Sequence, residues 1–297
     1  MAKLNSAENK ILDEIAGWKA GQPSFLNRAT DFVSRPISWL TEKVVPEDVR
    51  DGVAGVTEKA VEKVQDLSQW TVNAESILEE TKQFDIEAES IKELRKTSIQ
   101  NLDNVAQSFI ESNTRVGTVS GIGTGLVGWA GLLADLPTLF TLSLRTIHQI
   151  ALCYGYDVYS DEEGDEIKAF EMQYLMQVFK ISTAADKVQK QRGLSELKDL
   201  EAGRYSDVYG QIMGDFTTKQ FSRGATTFAT RLIIKEIVER TITKKAVGLV
   251  PGLGAIFNGG FNYVYLKDVG EAAFMIYRER FLLDKKGRQR IISVDIE

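Results

Sequence analysis

The stretch RVGTVSGIGTGLVGWAGLLADLPTLFTLSLRTIHQIALCYGYD, residues 115–157, decides the fold of this chain. Between its two ends only Asp135 and Arg145 carry a charge, and glycines crowd its first half. Such a segment must be buried in protein or in lipid, because water offers little to so many apolar side chains. A second uncharged run, AVGLVPGLGAIFNGGFNYVYL at 246–266, is also rich in glycine and contains one proline. The two runs predict two glycine-rich helical hairpins.

Glycine spacing indicates how these hairpins pack. Gly117, Gly121 and Gly125 lie four residues apart, so on a helix they form a strip that another backbone can approach closely. Each interior glycine costs about 1 kcal/mol relative to alanine, so the strip needs a compensating contact. Both runs also reach the roughly 20 residues that span a bilayer. Their glycine, proline and asparagine content makes insertion only modestly favourable, so a buried hairpin is the favoured interpretation and a membrane-inserted hairpin the alternative.

Composition excludes several functional classes. A net charge of −6 argues against nucleic-acid binding, which requires concentrated lysine and arginine. The single cysteine, Cys153, excludes a disulfide framework and a cysteine-based zinc site. The first residues contain no apolar core of signal-peptide length. We therefore expect a cytoplasmic location, including a peripheral position at the inner face of the cell membrane.

The remaining sequence predicts helices throughout, because it contains only five prolines and many strong helix formers. Ser6 is a suitable cap for a first helix, which Gly21 and Pro23 end. Residues 186–214 are polar and punctuated by glycine, which favours a short helix pair or a loop. We predict an all-α protein with a helical N-terminal arm at 1–72 and a large multi-helix core domain at 73–297.

Four polar residues form a narrow stripe on the helix that we predict to start near Pro137. They recur at spacings of three, four and three residues: Thr138, Thr141, Arg145 and His148. Because arginine keeps its charge, Arg145 must meet an acid or a ligand anion if it is buried. We favour a structural ion pair, for which the candidate acids are Asp157, Glu171, Asp268 and Glu271. The alternative is a phosphate or carboxylate, such as a lipid head group, in a mostly apolar cleft.

Few patterns in this chain support catalysis. His148 is the only histidine, so a multi-histidine metal site is impossible. Cys153 follows five residues later, so a helix places the two side chains on different faces and disfavours a Cys–His nucleophile pair. The GxGxxG match at Gly123–Gly128 has no strand before it, and Asp135 follows too soon for the acid expected about 20 residues on. We therefore predict no catalytic residue, no metal and no cofactor.

Several short motifs resemble the EcsC protein family. They are Ala134-Asp-Leu-Pro137, Leu144-Arg-Thr-Ile147, Tyr154-Gly-Tyr-Asp157, and Val250-Pro-Gly-Leu-Gly254 followed by Asn258 and Asn262. The resemblance extends from about Ile11 to Phe281 and marks Asp135, Arg145, Asp157 and Asn258 as signature positions. Family members are mostly bacterial, and the founding member is encoded beside an ABC exporter. The resemblance implies no activity, because the family has none assigned, and it implies membrane work by association alone.

We therefore expect a non-enzymatic, cytoplasm-facing protein that binds membrane lipid or a membrane-protein partner, related to an ABC transporter by family association. One alternative is a hydrolase-type enzyme for a lipid-like substrate, which requires Asp135, Asp157 or His148 to converge with Arg145. Another is a soluble helical scaffold whose glycine strips pack only its own helices. The sequence predicts no oligomeric state. The candidate binding residues are Asp135, Arg145, His148, Asp157, Asn258 and Asn262.

Overall fold

The computed structural model describes residues 4–21, 55, 58–60, 62, 72–124, 128–157, 165–213, 232–242 and 254–294. The regular structure in these ranges is helical and includes no strand, which confirms the all-α prediction. The main helices are α1 (Ser6–Ala20), α2 (Ala74–Lys82), a 3-10 helix (Ile91–Lys96), α3 (Ile99–Thr124), α4 (Gly128–Cys153), α5 (Asp165–Ser182), α6 (Lys187–Met213) and α7 (Gly254–Val294). Residues 232–242 are also helical.

Helices α3, α4 and α7 pack against one another and contain much of the core. The helices α3 and α4 are antiparallel, since Gly117 lies beside Leu142 and Asn113 contacts Gln149. Leu266 of α7 also lies against Gly117, so the described ends of the two uncharged runs occupy neighbouring helices. The prediction of two complete glycine-rich hairpins remains open, because residues 125–127 and 243–253 lie outside the described ranges.

Two glycines allow α7 to approach α3 closely. A Cβ atom at Gly117 would lie 2.0 Å from Leu266 Cδ1, and one at Gly270 would lie 2.8 Å from Ile110 Cγ1. Leucine and isoleucine side chains from the facing helix therefore fill the space that a side chain at each glycine would occupy. Gly117 thus has the packing role that its spacing predicts, whereas the side-chain environments of residues 121 and 125 are not among those described.

Alanine substitutions at two glycines of α7 are expected to change the free energy of unfolding in opposite directions. We expect Gly270→Ala to lower the free energy of unfolding by about 1–3 kcal/mol, because the new methyl group overpacks the contact with Ile110. We expect Gly260→Ala to raise it by roughly 0.5–1 kcal/mol, because a Cβ atom there meets nothing within 4 Å. Urea denaturation of both variants checks the pair, and equal effects of the two substitutions would contradict the packing argument.

The first helix differs from the prediction at its cap. Asn5, rather than Ser6, is the N-cap: its Oδ1 accepts from the Glu8 backbone N–H at 2.8 Å. The Glu8 carboxylate in turn accepts from the Asn5 N–H at 2.9 Å, and this reciprocal pair explains why the helix begins one residue earlier than predicted. Gly21 ends the helix as predicted. The division at residue 72 remains a prediction, because most of residues 22–71 lie outside the described ranges.

Two further helices differ from the expectations. Helix α4 begins at Gly128 and passes through Pro137, so the proline lies inside the helix. The Pro137 carbonyl accepts from Thr141 Oγ1 at 2.9 Å. Helix α6 is one continuous helix where we expected a helix pair or loop. Gly193 permits this, because Ile181 of α5 packs where its Cβ would be, and Gln177 donates to its carbonyl at 3.0 Å.

Candidate functional site

A buried polar contact joins the two uncharged runs at the centre of the bundle. Asn262 Nδ2, on α7, donates to Asp135 Oδ2 of α4 at 3.0 Å and to the Gly117 carbonyl of α3 at 3.4 Å. Asp135 and Asn262 are both buried. Asn262 Oδ1 is also buried and has no hydrogen-bond partner in the part of the chain that the structure describes. This contact ties three helices together with polar groups in otherwise apolar surroundings.

A second polar contact lies further along the same helices. Asn113 Nδ2 of α3 donates to Gln149 Oε1 of α4 at 2.6 Å, and both residues are buried. Gly117, Leu142 and Leu266 form an apolar layer between the two contacts. Buried amide pairs of this kind specify which helix faces meet, because a shift of either helix would leave polar groups without partners.

Arg145 is half-buried on α4, and its surroundings differ from the favoured prediction. None of the hydrogen bonds or ion pairs within the described residues includes it. Glu171, one of its candidate partners, instead forms a bidentate ion pair with Arg280 of α7. Other partly or wholly buried arginines have oxygen partners: Arg95 donates to the Gly155 carbonyl, and Arg240 and Arg278 contact carboxylates. Arg145 is therefore a half-buried cation that contacts no carboxylate within the described residues.

His148 lies three residues after Arg145 and is buried. Its Nδ1 accepts from the Val72 backbone N–H at 3.3 Å, which assigns the proton of the neutral ring to Nε2. Burial, with the nearby positive charge of Arg145, lowers the pKa of His148 to about 4. The imidazole is consequently neutral near pH 7 and a weak base.

The buried imidazole makes stability depend on pH. The pKa of His148 is about 4 in the folded state and about 6.5 when unfolded, so between these values the unfolded state binds more protons. The contribution of His148 to the free energy of unfolding is therefore fully present above about pH 6.5. It falls as the pH decreases towards 4, by up to about 1.4 kcal/mol per pH unit. We expect His148→Asn, which keeps an acceptor for Val72, to reduce this slope in urea denaturations. Identical pH profiles for both proteins would contradict the assignment.

The structure brings some predicted site residues together and separates others. Asp135 contacts Asn262, and Arg145 lies near His148. Asp135 lies ten residues before Arg145, which corresponds to about 15 Å of helix. Asp157 lies beyond the end of α4, and Asn258 belongs to α7, although its side chain is not among those described. The candidates are thus distributed along α4, just beyond its end and on α7, and His148 is the one that lies near Arg145.

A cluster of buried charges and tyrosines was missed by the sequence reasoning. The Arg280–Glu171 pair lies against the ring faces of Tyr156 and Tyr174, 3.9 and 4.4 Å from the guanidinium carbon. Tyr156 donates to Asp284 at 2.8 Å, and Tyr174 donates to Glu201 at 2.9 Å. The available signal was the segment FMIYRERFLL at 274–283, in which apolar residues flank Arg278, Glu279 and Arg280.

The motif Tyr154-Gly-Tyr-Asp157 contributes both of its tyrosines to buried polar contacts. Tyr154 donates to Asp103 Oδ1 at 2.6 Å, and Asp103 also pairs with Arg278 at 2.9 Å. Burial, reinforced by the neighbouring Asp103 carboxylate, raises the pKa of Tyr154 well above its ordinary value. The tyrosine is therefore a hydrogen-bond donor that holds the end of α4 to α3 and α7.

Membrane-spanning and metal-binding features were sought in the same ranges. None of the described helices combines the length and apolar character needed to cross a membrane. The described residues also contain no group of three or more histidine, cysteine, aspartate or glutamate side chains placed to hold a metal ion.

Comparison with known proteins gives a family and two relatives. A sequence profile described as the EcsC protein family matches residues 9–282. The chain is 27% identical over 277 residues to a Bacillus subtilis strain 168 protein called uncharacterized protein YdbA, covering 92% of each chain. It is 24% identical over 196 residues to Protein EcsC of the same organism, covering 66% of this chain and 70% of the relative. No solved structure matches significantly.

Proposed function

This chain belongs to the EcsC protein family, and from that premise we propose that it is a non-enzymatic protein that binds membrane lipid on the cytoplasmic side. The supporting observation is the contact of Asn262 with Asp135 and Gly117, which places the described ends of both uncharged runs side by side. Two long uncharged segments that converge give one region of the molecule an unusually apolar character. A membrane-protein partner is the alternative and rests on the family resemblance alone.

Exposed apolar side chains lie beside this contact. Val116, next to Gly117, is 53% exposed, and Tyr263, next to Asn262, is 43% exposed. By contrast, the far ends of the same helices carry paired charges, including Arg278 with Asp103. Apolar and aromatic side chains at a surface are suited to the boundary between head groups and acyl chains. We therefore place the lipid-binding surface at the level of Val116 and Tyr263.

Co-sedimentation of the full chain with vesicles tests this function. We expect the wild-type protein to sediment with phosphatidylglycerol-containing vesicles. The double substitution Val116→Ser with Tyr263→Ser is expected to lower the bound fraction. Val188→Ser with Leu283→Ser is a matched control, because these residues are also exposed but belong to other surfaces. A wild-type protein that stays in the supernatant as a compact, monodisperse species would contradict the proposal and support the scaffold alternative.

A further inference from the structure

Arg145 is energetically unusual, because it is a half-buried cation that contacts no carboxylate in the part of the chain that the structure describes. A guanidinium keeps its charge at every physiological pH, and partial burial removes water from it without replacing the lost interactions. In this protein, the described arginines of comparable burial each contact an oxygen atom. An external anion would give Arg145 the interaction that its described neighbours do not supply.

The position of Arg145 on α4 directs it towards α3. Leu142, three residues earlier, packs at Gly117, and Gln149, four residues later, accepts from Asn113. Both neighbours on the same helical stripe therefore face α3, and Arg145 lies at the solvent-exposed edge of this stripe. Its side chain leans towards the start of its helix, as helical side chains do. We therefore expect the guanidinium to lie over the turn that contains Thr141, with the exposed Thr138 one turn further.

The hydroxyl groups beside Arg145 differ in what they can offer. Thr141 donates its proton to the Pro137 carbonyl at 2.9 Å, so it provides only acceptor lone pairs to a ligand. Thr138 is exposed and provides a hydroxyl donor. His148, held neutral by burial, adds neither a competing positive charge nor a carboxylate. Arg145 is thus the principal donor, and its fork of N–H groups matches two oxygens of one phosphate.

Arg145 also lies at nearly the same level along the helices as the proposed lipid-binding surface. The level of Leu142 along α4 is the level of Gly117, beside the exposed Val116. Three residues of helix separate Leu142 from Arg145, a rise of about 4.5 Å. A cation placed at this distance from exposed apolar groups suits a lipid, whose phosphate lies just outside its acyl chains. We infer that Arg145 binds a phosphate group, and that in the membrane-associated protein this is the phosphate of a lipid head group.

This inference deepens the proposed function, so its test has two arms. The first arm measures partition of the full chain onto phosphatidylglycerol-containing vesicles, and the second measures binding of inorganic phosphate by calorimetry. Arg145→Gln is expected to weaken vesicle binding about tenfold, because charge-assisted bidentate hydrogen bonds are lost. Arg145→Lys keeps the charge without the fork and is expected to be intermediate. Arg192→Gln removes an equal charge from an exposed residue on α6, away from Val116 in the sequence, and is expected to change binding less than twofold.

The outcomes separate the two proposals. If the wild type and Arg145→Gln partition equally onto vesicles, the phosphate site is wrong and the membrane function stands. If the wild type binds inorganic phosphate through Arg145 but does not bind vesicles, the phosphate site stands and its assignment to a lipid head group is wrong. If Arg145→Gln binds both vesicles and inorganic phosphate as well as the wild type does, the inference is overturned. Because Arg145 has no described ion pair to lose, thermal unfolding of the three variants should match the wild type, and Arg145→Lys provides the comparison if Arg145→Gln unfolds.

Discussion

Replacing Glu171 by glutamine is expected to lower the free energy of unfolding by about 3–5 kcal/mol, because it leaves the charge of Arg280 buried without a counter-ion. Arg280 is 4% exposed and Glu171 is 3% exposed. The guanidinium donates to both carboxylate oxygens, and the tyrosine rings of Tyr156 and Tyr174 cover its faces. Water therefore cannot replace the missing charge without disrupting the core.

Urea denaturation measures this effect, and two further variants give it a clear interpretation. Glu111→Gln breaks an exposed pair with Arg115 and is expected to change the free energy of unfolding by only about 0.3–0.5 kcal/mol. The double substitution Glu171→Leu with Arg280→Met removes both charges and is expected to be much less harmful than Glu171→Gln alone. A loss below about 1 kcal/mol for Glu171→Gln would show that the pair is not desolvated as the geometry indicates.

This pair illustrates what sequence reasoning reaches and what it does not. Uncharged, glycine-rich runs indicate burial and helix packing, because charge and side-chain size are local properties that need no knowledge of the partner. The all-α fold and the helix–helix contact at Gly117 follow from such properties. The family follows instead from the short motifs that resemble it. The partner of a buried charge cannot be identified from such local properties, because it can lie anywhere along the chain. Arg280 and Glu171 are 109 residues apart, and the sequence offered Glu171 as one of four candidate acids for Arg145 instead.

The same limit explains the candidate site. Asp135 and Asn262 were both selected as unusual polar residues in uncharged runs, but 127 residues separate them and no spacing rule joins them. Local signals also compete. Gly193 and Pro137 suggest helix ends, whereas packing against Ile181 and the length of α4 keep both residues inside helices. Tertiary contacts override a local preference of about 1 kcal/mol for glycine, and for this reason helix boundaries were predicted less well than helix existence.

The second large effect is expected at Gly155, where α4 ends. Gly155 has φ +85°, and the backbone N–H groups of Gly155 and Tyr156 donate to the carbonyls of Leu152 and Ala151, both at 2.9 Å. These bonds form a Schellman cap, in which glycine is favoured because a Cβ atom is strained at positive φ. Space is also lacking, since a Cβ atom would lie 2.5 Å from Arg95 Cγ and 3.1 Å from the Ile91 carbonyl.

We therefore expect Gly155→Ala to lower the free energy of unfolding by about 2–5 kcal/mol, combining about 1–2 kcal/mol of backbone strain with about 1–3 kcal/mol of overpacking. The hydrogen bond from Arg95 Nε to the Gly155 carbonyl, 2.8 Å long, is expected to weaken as well. Gly17→Ala is the matched control: a Cβ atom there meets nothing within 4 Å, so alanine should stabilise α1. If both alanine variants instead unfolded at the same urea concentration, the strained cap would not hold Tyr154 and Tyr156 in the core. Their acidic partners would then have to supply that anchoring alone.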